Sequence, residues 1–154
     1  MATALMPPAR PTASPAVNRA VDRIAQLGTL PVVAAGNDAR DACDISPASA
    51  ASALTVGATD ITDQQADTSN TGPCLSLHAP GVDIRAAQLG GGTVSMSGTS
   101  MASPHVAAVA ALHKEVHPTA SPDEVKNWII AQSTRNVLTV DPTSPNRLHY
   151  LGGL

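Results

Sequence analysis

The chain has 154 residues, enough for one domain, and nine Lys+Arg against twelve Asp+Glu give a net charge of −3. There is no basic footprint for nucleic acid, and no stretch approaches the roughly 20 continuous apolar residues needed to span a bilayer, so neither is an expected partner. Hydrophobic residues reach 43%, which argues against disorder, but many are alanine and there is no Phe, one Trp (Trp128) and one Tyr (Tyr150), so any core is built from small and medium side chains or completed by a partner.

Residues 1–16 are rich in Pro and Ala and read as an irregular leader. Ser14-Pro15 then supplies an N-cap and a first-turn proline, and Val17, Ala20, Val21, Ile24 and Leu27 repeat at the spacing of one helix face that Gly28 ends. Leu30 to Ala35 is a continuous apolar run closed by Gly36-Asn37, the pattern of a buried parallel strand. Leu54 to Ala58 is a second short strand, and residues 61–73 are polar and turn-rich. Leu75–Ala79 and Val82–Ile84 read as strands separated by Pro80-Gly81, and Thr93–Met96 as the last strand, after the turn at Gly90-Gly91-Gly92. An alanine-rich helix is predicted from Ser100 to about His117, stopped by Pro118. Ser121-Pro122-Asp123-Glu124 is a capping box that opens another helix through Trp128 and Ile129, and the tail from Leu138 looks extended. Helices alternating with buried strands predict an α/β fold with a mostly parallel sheet flanked by helices.

Cys43 and Cys74 show no C-x-x-C spacing, so a zinc or redox dithiol site is not expected. Their spacing allows two buried thiols or a disulfide, and a disulfide would imply an oxidising compartment. The first ten residues contain no apolar run of the kind a signal peptide carries.

The chemistry is concentrated in Ser97-Gly98-Thr99-Ser100-Met101-Ala102-Ser103-Pro104-His105. A glycine turn delivers Ser100 to a predicted helix N-terminus, where unpaired backbone N–H groups and the helix dipole favour developing negative charge. That placement suits a nucleophile whose tetrahedral intermediate carries an oxyanion, although a serine there can equally be a plain N-cap. His105 is five residues further on. Along a helix that is about 140° of net rotation and about 7.5 Å of rise, which turns its ring away from the Ser100 hydroxyl. Ser100, Asp141 and His149 occur in the chain order of α/β-hydrolases, but His149 lies in a short tail without the strands that fold requires.

Gly98 to Ala107 resembles the nucleophile motif of the subtilisin-like serine proteases, the subtilases. Ala34-Ala35-Gly36-Asn37 resembles their oxyanion strand end, and Ser46-Pro47-Ala48-Ser49, Leu54 to Thr59, and Ala79-Pro80-Gly81-Val82-Asp83-Ile84 follow in the family's order. The chain is similar to the secreted proteinase K and aqualysin branch over about residues 17–150, so 17–154 reads as the C-terminal portion of a peptidase catalytic domain with an incomplete three-layer fold. The resemblance implies a serine endopeptidase acting on protein or peptide substrates, with Ser100 as acylated nucleophile and Asn37 as oxyanion donor. It further implies Ala34, Ala35 and Gly36 as one wall of the specificity pocket, a Cys43–Cys74 disulfide, His105 as a structural residue, and secretion.

Subtilases also place an Asp and a His ahead of the oxyanion asparagine, and neither D-[ST]-G nor H-G-T occurs in these 154 residues. Pro7 and Pro8 stand where the family's substrate-binding S-L-G-G segment belongs, and proline there removes backbone donors. The chain therefore reads as a fragment whose partner is the upstream part of the same protease domain, inactive alone. The alternative is a pseudoprotease that binds peptides without cleaving them. His78 precedes Ser100 but sits in the wrong motif for a base, and Thr68 and Thr71 replace residues that relatives often have as aromatics. No cofactor is required and no metal ligand is assigned. Some relatives bind structural calcium through an aspartate near position 76, where serine, a poorer ligand for a hard cation, argues against the site.

Overall fold

The computed structural model describes residues 4–5 and 12–152. Pro7 and Pro8, and most of the segment read as a leader, lie outside the described residues. Of that segment, Ala4–Leu5 forms a strand (β1), so it is not irregular throughout, and helix α1 (Pro15–Gln26) opens on Ser14, whose hydroxyl accepts the Val17 N–H.

Strands β2 (Pro31–Ala34), β3 (Leu54–Thr59) and β4 (Leu77–Pro80) pair in parallel, with β1 parallel on the outer side of β2. A hairpin follows, β5 (Ile84–Ala87) against β6 (Thr93–Met96), outside the main sheet. Helices α2 (Thr99–Val116) and α3 (Pro122–Gln132) come next. Two short strands, β7 (Thr134–Arg135) and β8 (Arg147–Leu148), then complete a sheet of order β1-β2-β3-β4-β8-β7.

The sheet is covered on both faces because consecutive residues of a strand point opposite ways. Val32 joins Leu54, Val56, Ala58, Leu77 and Ala79 beneath Ala102, Val106 and Ala110 of α2 and Val125 and Ile129 of α3. Val33 points to the other face, where Val21 of α1, Ala50 and Ala53 meet it. The alanines on α2 let the helix lie close to the sheet, so this aromatic-poor chain closes a core with small side chains. Leu77 is fully buried in it, and Leu77→Ala is expected to cost about 2–5 kcal/mol.

The α/β fold, the mostly parallel sheet and the helical layers follow the sequence reading; three details differ. The strand expected at Val82–Ile84 starts at Ile84 instead, because Asp83 turns the chain at φ +54°, a conformation Asp tolerates better than most residues. Thr93–Met96 is not the last strand, since Arg147–Leu148 pairs with His78 of β4 and brings the tail back to the sheet. The apolar face expected on α1 is only partly used: Val21 is buried against Val33, Ala50 and Ala53, whereas Leu27, just past the end of the helix, is 64% exposed.

Cys43 and Cys74 form a disulfide with 5.3 Å between Cα atoms, tying the single 3-10 turn at Ala42–Asp44 to the segment leading into β4. Ser46-Pro47 is a cis peptide.

Candidate active site

Open α/β sheets place their chemistry at the carboxyl ends of the strands. Here β2 runs out into Ala35-Gly36-Asn37 and β4 into Gly81, whose carbonyl accepts the Gly98 N–H at 2.7 Å just before α2 begins. Two glycines make the approach possible. Gly36 is buried at φ +101°, and a Cβ there would stand 2.4 Å from Asn70 Nδ2. Gly98 is at φ +142°, and a Cβ there would press on the Asn37 amide at 3.2 Å.

The residue that caps α2 is Gly98, not Ser100; Ser100 is the second residue of the helix. The plain N-cap reading of this serine is thus excluded by position. The cap offers no side-chain acceptor, so the first N–H groups of α2 are satisfied otherwise. Thr99 N–H donates to Asn37 Oδ1 at 2.8 Å, and the N–H groups of Met101 and Ala102 both reach the Gly98 carbonyl at 2.9 and 3.3 Å. Among the described residues, the Ser100 N–H has no protein acceptor. Pro104, lacking an N–H, also leaves the Ser100 carbonyl without its ordinary partner four residues on.

Asn37 is exposed, yet its amide is oriented. Its Oδ1 accepts from both the backbone N–H and the hydroxyl of Thr99, the latter at 3.1 Å, which leaves the Nδ2 donor as the outward end. The Thr99 hydroxyl also accepts the Gly36 N–H at 3.1 Å, locking the turn to the helix. The turn is held from beneath by Asn70, which is fully buried. Asn70 Nδ2 donates to the Ala35 carbonyl at 2.9 Å, and Oδ1 accepts from the N–H groups of Asp38 and Arg40 at 2.9 and 3.2 Å. Thr99 and Asn70 are the residues that sequence reasoning missed. The first was hidden inside the serine motif, and the second in a segment read only as polar and turn-rich.

The structure brings Asn37, Thr99 and Ser100 together. Ala34, Ala35 and Gly36 lie directly behind Asn37 and are all buried. A cavity of about 280 Å³ adjoins Gly98 and Ser97, lined by polar residues of the 60–68 segment including Asp60, Gln64 and Thr68.

No histidine bonds the Ser100 hydroxyl among the described residues. His105 lies near His149, whose imidazole is pushed down to about 4, mainly by burial and also by the neighbouring His105. The Asp141 carboxylate accepts from the Thr143 N–H and hydroxyl, bonds that lower its pKa, so among the described residues it makes no pair with His149. His78 is wholly buried in β4, where burial holds it neutral with a pKa of about 4. These histidines belong to the packing. No group of three His, Cys, Asp or Glu able to hold a metal occurs among the described residues.

The family model described as the subtilase family matches residues 6–150. An extracellular serine proteinase of Thermus sp. (strain Rt41A) is 47% identical over 141 residues, covering 90% of this chain and 34% of its own length. The alkaline serine exoprotease A of Vibrio alginolyticus is 42% identical over 137 residues, covering 89% of this chain and 26% of its own. A crystal structure of a cold-adapted subtilisin-like serine proteinase superposes with a TM-score of 0.93 at 37% identity, over 98% of this chain and 55% of that one. The parallel sheet with a half-buried serine at the start of a helix is thus a subtilisin-like scaffold. The chain belongs to the subtilase family, and it spans about a third or less of the length of these curated relatives.

Proposed function

We propose that this chain carries the nucleophile and oxyanion half of a secreted serine endopeptidase, with Ser100 forming the acyl-enzyme. Attack by Ser100 Oγ on a peptide carbonyl places negative charge on the carbonyl oxygen, and two donors are needed beside it. The observation that supports this reading is the start of α2, where Thr99 binds the oxygen end of the Asn37 amide and leaves Asn37 Nδ2 and the Ser100 N–H without other partners. Ala34, Ala35 and Gly36 would then flank the side chain of the residue before the scissile bond.

A general base is required to take the Ser100 proton, and a carboxylate to orient that base. His78 and His149 are engaged in packing, His105 lies near His149, and His113 stacks on Trp128 beside His117 at the far end of α2, so the base and its aspartate have to come from an upstream segment of the protease domain. By itself the chain is expected to be inactive. The names of the relatives, one of them an extracellular proteinase, and the disulfide both support secretion, and among the described residues no helix is long and apolar enough to cross a membrane.

The test is fluorophosphonate labelling of Ser100 in this chain and in a chain extended upstream with D-[ST]-G and H-G-T segments, with Ser100→Ala as control. Labelling confined to the extended form upholds the proposal. Peptide binding without labelling in either form would replace it with the pseudoprotease reading.

A further inference from the structure

Near position 76, where some relatives bind calcium and Ser76 argues against it here, the chain itself supplies a cation. Lys126, on α3, reaches the segment before β3 and donates from Nζ to the Ala53 carbonyl at 2.6 Å and the Ala51 carbonyl at 3.2 Å. Ser76 lines the same cavity of about 220 Å³ as Ala51, Ala53 and Lys126. A pair of convergent backbone carbonyls is what a hard cation or an ammonium seeks, and the ammonium is already there.

The remaining donors do not suit a divalent ion. Ser76 is buried, and its hydroxyl accepts the Thr55 N–H at 3.1 Å, so it offers a neutral oxygen already in use. Among the described residues the cavity lining contains no carboxylate. Calcium sites are built on one or more carboxylates, and a fixed positive charge on the same carbonyls repels the ion.

We propose that the Lys126 ammonium is the resident cation of this site, clamping α3 to residues 51–53 and making the fold independent of calcium there. Burial draws the Lys126 pKa down, and the nearby Asp123 and Asp22 carboxylates offset part of that cost. Asp22 also accepts from Ser52 N–H and hydroxyl at 3.1 and 2.7 Å, so it anchors the segment that presents the two carbonyls. The inference is independent of Ser100, since none of these residues belongs to the candidate active site.

The experiment is thermal unfolding of the full chain with excess calcium and with excess EDTA, for the wild type, Lys126→Met, and the double variant Lys126→Met/Ser76→Asp. The wild-type midpoint is expected to be unchanged by either addition. Lys126→Met should fall by roughly 5 °C, as loss of a charge-assisted clamp predicts, with no recovery in calcium. The double variant, which restores a carboxylate and empties the carbonyls, should rise with calcium concentration as a ligand-linked midpoint does. A wild-type midpoint raised by calcium, with the rise abolished in Ser76→Ala, would overturn the proposal, as would a Lys126→Met variant as stable as the wild type.

A second measurement serves if Lys126→Met does not fold. The chain has only two lysines, Lys114 and Lys126, and both donate to backbone carbonyls, so a Lys114→Arg variant is used to assign the Lys126 ammonium ¹⁵N signal. A Lys126 signal that is protected from exchange and unmoved by calcium supports the clamp, whereas one that exchanges like a free lysine overturns it.

Discussion

Helices α2 and α3 begin in opposite ways. At α3 the Ser121 hydroxyl accepts the Glu124 N–H, the Glu124 carboxylate accepts the Ser121 N–H at 2.6 Å, and Pro122 removes one donor covalently. That end is closed. At α2 the cap is a glycine without a side chain, and the Ser100 N–H is left for something that is not part of the described chain. An unsatisfied helix start costs stability, and under the proposed function the open end of α2 is where the fold gives up a little stability for chemistry.

That contrast can be broken at several points. The largest effect is expected from Asn37→Ala in the upstream-extended chain, where loss of one oxyanion donor should slow turnover by about 10²–10³. Steady-state kinetics would check it, and an unchanged rate would remove Asn37 from the site. Acid comes next. His78 is held neutral down to about pH 4 in the fold but titrates near 6.5 when unfolded, so its contribution is complete above 6.5 and is lost as pH falls toward 4. His78 should contribute a slope on the order of 1 kcal/mol per pH unit in that window, read from denaturant midpoints, and His78→Leu should remove that share while leaving the similar one from His149, which is also held near 4.

Thr99→Val should be smaller still. It keeps the N–H bond to Asn37 but deletes the hydroxyl that bridges Asn37 and Gly36, and a loss of about tenfold in labelling rate corresponds to one such hydrogen bond. The smallest is Ser121→Ala, which opens the closed end of α3. It should lower stability by about 1 kcal/mol and leave Ser100 labelling unchanged. If Ser121→Ala altered labelling as much as Thr99→Val, the two helix starts would not be functionally distinct.

Much of the molecule was legible from local pattern. The buried strands around Val32, Val56 and Leu77, the Ser14 and Ser121 caps, and the position of Ser100 near a helix start all follow from hydrophobic runs, turn residues and capping chemistry. Other features were not. Asn70 sits 33 residues from Asn37 in the chain, in a segment whose polar composition says only that it turns, so nothing local announces that its amide supports the turn at residues 35–40. Nothing in the local pattern singles out Lys126, and only its reach to carbonyls more than 70 residues earlier makes it a clamp. The β8 strand was equally hidden, because two residues carry too little periodicity to be read as a strand.

The amino-acid sequence by itself determined the alternation of helices with buried strands, the capping of α1 and α3, and the placement of Ser100 near a helix start, since those depend on residues within a turn or two of one another. The tertiary structure decided which way the Asn37 amide points, which helix N–H remains open, and which cation holds residues 51–53. Each of those depends on polar groups far apart in the chain that must find partners once water is excluded, and only the folded geometry determines which partners they find.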